Sequence, residues 1–294
     1  MKPHPKFLNL DNDFWAHVGL VSQCVGYTAR SSTEQRVGRA TSSSGAIKVP
    51  TAHDIRLVLE KLGLSASHLF SQKTSALSYF GRLLVDYFTH RARLLENFVR
   101  HWLMKKDEAK ELFERLKKKY HPRCPLPMNK QSGEKKTPAY FTGVVNMLIE
   151  RHLKGAPCDY NPRELIVLTK NRRPFRTLAR RVDGAFPGPI DPIAVWEVKE
   201  YYYTTTFGSR VADAVYESLL DGLQLAELRE EGIHVRHYLM IDDYFTWWEC
   251  GRSYLCRIID MLHMGYLDAV LFGREVVKEL PSIVGEWLRI ARTR

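Results

Sequence analysis

The sequence contains no long hydrophobic run. No stretch approaches the roughly 18 consecutive apolar residues that a transmembrane helix requires, and the opening residues, MKPHPKFLNLDNDFW, lack the apolar block of a secretory signal. We therefore expect a cytoplasmic protein without a membrane partner. Cysteine is also scarce, since five residues of 294 are cysteines and most are scattered. Such a pattern is typical of reduced thiols in a cell interior and argues against a disulfide framework.

Motifs for binding nucleotide phosphates are missing as well. There is no GxxxxGK[ST] loop and no GxGxxG after a predicted strand, which argues against nucleotide hydrolysis and against a dinucleotide cofactor. Positive charge, in contrast, is in excess: 44 Lys and Arg residues face 33 Asp and Glu residues, a formal net charge of +11. A field of this sign attracts polyanions, with nucleic acid as the first candidate and an anionic membrane as the second.

The N-terminal half contains a polar segment with several basic residues. Residues 26–51, GYTARSSTEQRVGRATSSSGAIKVPT, have no sustained apolar period, which predicts a long loop. Long loops are uncommon in compact domains unless they bind something, although a solvated surface segment is the alternative. The candidates for DNA contact in this segment are Arg30, Arg36, Arg39 and Lys48.

Helices are predicted for the rest of this half. Thr51 and Asp54 can form a capping box before an apolar stripe, and the following SASHLF can start a second short helix. The pair is similar to a helix-turn-helix, but two packed helices without a DNA role explain the pattern equally well. Apolar periods predict two more helices at 75–104 and 105–120, and the Pro- and Lys-rich residues 121–138 predict a linker.

The second half alternates helices and strands. We predict helices at 139–155, 208–222 and 252–265, strands at 176–186, 193–202, 234–241 and 266–272, and a terminal helix. This order indicates an α/β layer with a mixed sheet flanked by helices. The expected organisation is a mostly helical, loop-rich region at 1–130 followed by an α/β domain at 131–294.

The strand predicted at 193–202 carries an acid and a lysine on one face. Alternation places Glu197 and Lys199 together among apolar neighbours, while the opposite face is also largely apolar. Such a strand is covered on both sides, where an unpaired charge is costly and normally pairs, binds a metal or is neutralised. Ion pairs with Arg180 or Arg181 are the structural explanation.

Asp183 can supply a second carboxylate to the same place. It precedes Glu197 by fourteen residues, across a Gly- and Pro-rich turn, so hairpin pairing can bring both acids beside Lys199. Two carboxylates suit a hard divalent cation such as Mg²⁺, which can bind a phosphodiester oxygen and help to deprotonate water. Lys199 would then steady the nucleophile or the phosphorus. Asp191 is the rival acid, but its position in the turn favours local backbone bonding.

This constellation resembles the PD-(D/E)XK nuclease superfamily, and more narrowly the type II restriction endonucleases. The resemblance rests on Asp183 in VDG, on EVK at Glu197 to Lys199, and on the strand-turn-strand-helix order around them. It implies a PD-(D/E)XK nuclease core in which the aspartate and the glutamate hold Mg²⁺ and the lysine assists the attacking water. Val182 stands where the family name has proline, which makes the motif less specific.

The resemblance also implies a role for residues and partners outside the motif. Some relatives carry a further metal-shell acid at the position of Glu150, for which a surface glutamate is the alternative. Glu217 and Asp221 share a predicted helix face that we interpret as solvated and outside the site. The implied protein is a homodimer that cuts double-stranded DNA at a short, palindromic sequence, with residues 1–130 as its DNA-recognition region and 131–294 as its catalytic domain.

Three functions are therefore open from the sequence. The first is a magnesium-dependent type II restriction endonuclease. The second is a structure-selective repair or recombination nuclease with the same core. The third is a non-catalytic DNA-binding protein in which the acids are merely structural.

Overall fold

The computed structural model describes residues 1–37, 40–71, 76–131, 134–202 and 209–293. Within 30–37, 40–44, 130–131 and 134–136 the backbone alone is described. The N-terminal part contains helices α1 (Asn12–Val25), α2 (Ala52–Lys61), α3 (Tyr79–Leu94), α4 (Arg100–Trp102) and α5 (Lys106–Tyr120), and strands β1 (Thr28–Val37) and β2 (Ala40–Ile47). Strands β3 (Met128–Gln131) and β4 (Glu134–Pro138) follow.

The rest of the chain contains helices α6 (Tyr140–Leu153), α7 (Ser209–Glu230), α8 (Arg252–His263) and α9 (Glu275–Thr293). Its strands are β5 (Val167–Lys170), β6 (Arg173–Thr177), β7 (Gly184–Phe186), β8 (Ala194–Glu200), β9 (Arg236–Asp242) and β10 (Ala269–Phe272). The protein is thus of the mixed α/β class, as the sequence predicts. No helix within the described ranges is long and apolar enough to cross a membrane.

The prediction of a loop at 26–51 is wrong. Strands β1 and β2 form an antiparallel hairpin in which Thr28 pairs with Ile47 and Val37 with Ala40. The hairpin is held by the body of the protein, since Ile47 packs on a buried cluster and Arg252 donates to the Gly45 carbonyl at 3.1 Å. These contacts are made with residues distant in sequence, which explains why no local apolar period predicts the strands.

One further prediction for this half is confirmed and two are corrected. The capping box of α2 is confirmed, because the Asp54 backbone N–H donates to Thr51 Oγ1 at 3.2 Å while Asp54 Oδ2 accepts from the Thr51 backbone at 2.8 Å. The second element of the helix-turn-helix pattern, however, is a single 3₁₀ turn at Ser67–Leu69, which is too short to serve as a recognition helix. The predicted linker at 121–138 contains the antiparallel ribbon of β3 and β4.

A four-stranded mixed sheet organises the second half, with strand order β10-β9-β8-β7. Strand β7 is antiparallel to β8, whereas β8, β9 and β10 are parallel. Helices α6 and α9 cover one face, where Trp287 stacks on Trp196 with ring centroids 5.4 Å apart. Helices α7 and α8 cover the other face. Strand β8 is therefore central and covered on both sides, as its two apolar faces predict.

Helix α7 is longer than predicted and does not end at Gly222. A Cβ at Gly222 would lie 2.7 Å from the Tyr266 Cβ and 2.9 Å from the Tyr266 carbonyl oxygen. The glycine thus allows the close approach of another segment to the helix and is not a terminator. As a result, α7 continues for two more turns along the sheet.

Candidate active site

The three residues of the predicted motif meet at one place. The antiparallel register of β7 and β8 pairs Gly184 with Trp196, so Asp183, just before β7, lies opposite Glu197. The Asp183 backbone N–H donates to Glu197 Oε1 at 3.2 Å, and Asp183 Oδ2 accepts from the Val198 backbone N–H at 2.8 Å. Lys199 Nζ donates to Glu197 Oε2 at 2.8 Å.

Three further residues complete this cluster. Glu217 and Asp221 are predicted from the sequence to lie outside the site, whereas the predicted alternative of an ion pair between Arg180 and Glu197 is confirmed. Arg180 Nη1 lies 3.0 Å from Glu197 Oε1 and 2.7 Å from Asp221 Oδ2. Arg180 Nη2 lies 3.2 Å from Glu217 Oε2, which also accepts from Lys199 Nζ at 2.8 Å. We call the four acids Asp183, Glu197, Glu217 and Asp221, together with the two cations Arg180 and Lys199, the carboxylate cluster.

The prediction that Glu217 and Asp221 are solvated is wrong for Asp221 and holds in part for Glu217, whose side chain is 40% exposed. They lie four residues apart on α7 and so share a face, and that face points at β8: the Asp221 residue is 0% exposed. Meanwhile Leu220 and Leu223 of the same helix are exposed at 42% each. Helix α7 thus places these acids toward the sheet beside buried apolar residues such as Val215 and Leu225. The buried Lys199 and the partly exposed Arg180 stabilise the inward carboxylates.

The carboxyl groups of the cluster differ in their ionisation. Burial, and next the charge of Glu197, raise the pKa of Asp183 to about 7. Burial raises the pKa of Asp221 to about 6, despite the opposing effect of Arg180. For Glu197 burial also opposes ionisation, but Lys199 and Arg180 together hold its pKa below the usual range. Near neutral pH, Glu197 is therefore ionised while Asp183 is partly protonated.

Both cations of the cluster remain charged. Burial alone would lower the pKa of Lys199, but the nearby Glu197 and Asp183 raise it above its usual value. The pKa of Arg180 is likewise raised, because Glu197, Asp221 and Glu217 outweigh its burial. With every group ionised the cluster carries four negative and two positive charges, a net charge of −2, and thus remains attractive to a cation.

The carboxylate oxygens of the cluster are ligands of the kind that a hard cation prefers. Asp183 and Glu197 offer carboxylate oxygens across adjoining strands, and Asp221 Oδ1 is buried without a hydrogen-bond partner. Mg²⁺ is commonly held by one or two carboxylates together with water and phosphate oxygens. Among the described residues, no group of three or more His, Cys, Asp and Glu side chains forms a metal-binding cluster. Asp183 and Glu197 are the two acids that face each other across adjoining strands, and the Glu197 oxygens are paired with Arg180 and Lys199.

Glu150 does not join this cluster. It lies on α6, which packs against the opposite face of the sheet, and its two carboxylate oxygens accept from the Arg123 backbone N–H at 3.1 Å each. It lines a separate cavity of about 670 Å³. Asp191, the rival acid, is also occupied elsewhere: it accepts from the Thr169 backbone N–H at 2.7 Å and from Thr169 Oγ1 at 2.6 Å.

Of the residues predicted to contact DNA in the N-terminal half, those that the structure describes lie on β1 or directly after β2. Arg30 and Arg36 lie on β1, and Arg39 lies outside the described residues. Lys48 Nζ donates to the Val25 carbonyl at 2.7 Å and so fixes the end of α1 to the segment after β2. The Lys48 ammonium thus already has a hydrogen-bond acceptor within the protein.

The mixed sheet, the covering helices and the carboxylate cluster together define the class of this protein as an α/β domain with a network of charged side chains between β8 and α7. The chain belongs to the family described as Domain of unknown function (DUF7687), because the model of that family matches residues 104–287, more than half of the chain. Residues 1–98 match a second family, Domain of unknown function (DUF7690). No curated protein matches the chain. No solved structure matches it.

Proposed function

We propose that this protein is a magnesium-dependent endodeoxyribonuclease of the PD-(D/E)XK type that acts in the cytoplasm as a homodimeric restriction enzyme on a short sequence of double-stranded DNA. One observation carries the proposal: Asp183, Glu197 and Lys199 converge across two adjoining strands of a mixed sheet. The order of β7, β8, α7 and β9 around them agrees with the core that the resemblance implies. The net charge of +11 supports a polyanionic substrate.

The residues of the cluster would divide the work of phosphodiester hydrolysis. Asp183 and Glu197 hold the cation, and Mg²⁺ when bound supplies charge neutralisation at the phosphate and a more acidic water. Lys199 is protonated and held at 2.8 Å by both Glu197 and Glu217. It therefore acts as a fixed hydrogen-bond donor toward negative charge that develops on the phosphate, and not as a general base.

A plasmid digest with and without Mg²⁺, followed by mapping of the ends, tests the proposal. We expect discrete fragments that require Mg²⁺, and loss of cutting with retained DNA binding in Asp183→Ala, Glu197→Ala and Lys199→Ala. The matched control is Glu164→Ala, an exposed acid away from the cluster, which should cut like the wild type. Undiminished cutting by any one of the three cluster variants would refute the assignment.

A non-catalytic DNA-binding protein is the second candidate. The observation in its favour is that Arg180 contacts both oxygens of Glu197, at 3.0 and 3.2 Å, as a purely structural ion-pair network would. Binding of the plasmid without any cutting would favour this candidate. A repair or recombination nuclease with the same core would instead nick branched DNA regardless of sequence.

A further inference from the structure

Strands β5 and β6 form a two-stranded ribbon that the proposed function leaves without a role. The ribbon, residues 167–177, is VLTKNRRPFRT and contains four cations and no acid. Its strands pair with each other in an antiparallel ladder from Val167↔Thr177 to Lys170↔Arg173. Asn171 and Arg172, at the turn, have φ values of 52° and 61°, the left-handed pair that a tight two-residue hairpin requires.

The ribbon is anchored at its base and along one side. Leu168 is buried in the core beside Leu178, the residue that follows the ribbon. Lys170 Nζ lies 3.0 Å from the Glu231 carboxylate, and Arg176 Nη1 lies 2.8 Å from the Glu227 carboxylate, so two cations fasten the ribbon to α7 and the residue after it. The ribbon is thus held in place before any partner arrives, which lowers the entropic cost of binding.

The tip of the ribbon is free, in contrast to its sides. Arg172 and Arg173 are both exposed, and neither side chain has a hydrogen bond or ion pair within the described part of the chain. Phe175 is 39% exposed beside them, with Lys170 Nζ 3.8 Å from its ring centroid. A rigid ribbon with two unpaired arginines at its end is a surface for a polyanion.

The distance from this tip to the carboxylate cluster follows from α7. Arg180 pairs with Asp221, Arg176 with Glu227 and Lys170 with Glu231, so the chain from the cluster to the tip runs alongside the helix. Ten residues separate Asp221 from Glu231, which corresponds to about 15 Å at the helical rise of about 1.5 Å per residue. On B-DNA this spacing equals about four to five base pairs at about 3.4 Å each.

We propose that the 167–177 ribbon enters the major groove of duplex DNA and that Arg172 and Arg173 contact guanine edges and phosphates there. Two strands about 4.8 Å apart with their side chains fit a groove about 12 Å wide, whereas the minor groove is only about 6 Å wide. The placement of these contacts, about four to five base pairs from the cut phosphate, rests on the proposed nuclease function. The groove contact itself does not require it.

The test compares the double variant Arg172→Ala/Arg173→Ala with the control Arg289→Ala/Arg292→Ala. The control removes the same charge from exposed positions on α9, across the sheet from α7. Binding is measured by fluorescence anisotropy with a labelled PCR fragment in EDTA over a salt series. We expect the ribbon variant to bind about 10- to 100-fold more weakly, with a salt slope smaller by about 0.9 for each phosphate that it no longer neutralises.

Base readout is tested separately with DNA in which guanine is replaced by 7-deazaguanine. The wild type should lose affinity on this DNA, because N7 is the major-groove acceptor that arginine uses, while the ribbon variant should not. Equal binding by the ribbon variant and the control, or no effect of 7-deazaguanine on the wild type, overturns the groove proposal. Equal binding of duplex RNA overturns it too, since the deep, narrow major groove of RNA excludes such a ribbon.

The groove proposal and the nuclease proposal fail in different ways. If the ribbon variant loses affinity but the wild type never cuts DNA with Mg²⁺, the nuclease assignment is wrong and the groove contact stands. If the wild type cuts and the ribbon variant binds and cuts like the control, the ribbon has no role in DNA contact although the nuclease assignment stands. Circular dichroism of both double variants establishes that they are folded.

Discussion

Replacement of Arg180 by alanine should uncover the competition between this arginine and a divalent cation. Arg180 makes ion pairs with Glu197, Glu217 and Asp221 at 2.7 to 3.2 Å, and its side chain is 23% exposed. Removal of one partner from a fully buried ion pair destabilises a protein by about 3–5 kcal/mol. Because Lys199 continues to neutralise Glu197 and Arg180 is partly solvated, we expect about 2–3 kcal/mol.

The same change should make the protein more responsive to Mg²⁺. In Arg180→Ala the cluster carries four negative charges and one positive charge when fully ionised, so its net charge falls from −2 to −3. A ligand at 100 times its dissociation constant stabilises the native state by about 2.7 kcal/mol, which is close to the destabilisation expected from the substitution. Mg²⁺ should therefore restore most of the stability of the variant, whereas in the wild type it must first displace Arg180 and should stabilise less.

Thermal unfolding over a MgCl₂ series at constant ionic strength measures both effects. Without Mg²⁺ the variant should melt about 3–5 °C below the wild type, and the gap should narrow as Mg²⁺ increases. Arg176→Ala is the matched control, because it removes a single exposed ion pair with Glu227 and should cost at most about 1 kcal/mol. Equal stabilisation of wild type and variant by Mg²⁺ would show that Arg180 and the cation do not compete.

Two other predictions concern pH and packing. The pKa of Asp183 is about 7 in the folded protein, above the value of about 3.9 for an unfolded aspartate, so ionisation of this group favours the unfolded state. Asp183→Asn should therefore stabilise the protein increasingly from about pH 4 to pH 7, and by a constant amount above pH 7. Urea unfolding across this pH range measures the difference. A pH-independent difference would contradict the raised pKa. Gly222→Ala should destabilise the protein by about 1–3 kcal/mol despite the better helix propensity of alanine, because the new Cβ would lie 2.7 Å from the Tyr266 Cβ. Unchanged thermal stability would mean that Tyr266 moves away without cost.

Local patterns in the sequence predict the central part of this structure well. The apolar periods of α5 and α6, the capping box of α2 and the alternation along β8 are each complete within one short segment. The meeting of Asp183 with Glu197 is predictable for the same reason, because one hairpin turn separates them. Such features depend on residues near in sequence, whose spacing alone determines the face on which they lie.

The features that the sequence does not reveal depend on distant contacts. The turn of the 167–177 ribbon is Asn-Arg, without the glycine that usually marks a two-residue hairpin, and Pro174 in β6 argues against a strand. The predicted strand at 176–186 is wrong over 178–183, an irregular connection between β6 and β7 that contains Arg180. The ion pair of Arg180 with Glu197 is among the alternatives that the sequence offers, but strand alternation does not predict its contacts with Glu217 and Asp221. Asp221 lies on the buried face of α7 with Ala214 and Leu225, but a carboxylate is usually exposed, and its partner Arg180 is distant in sequence.

Arg180 links the two interpretations of the cluster. Four carboxyl groups within one network repel one another strongly, and the raised pKa values of Asp183 and Asp221 reflect this together with their burial. A cation-binding site of the kind proposed must nevertheless survive in the folded protein before its cation arrives, and a guanidinium that contacts Glu197, Glu217 and Asp221 would provide that stability. The ion pairs that a purely structural network would use are thus also the ones that a cation site needs in its metal-free state. The Mg²⁺ dependence of Arg180→Ala distinguishes the two, because a structural network gains nothing from the ion.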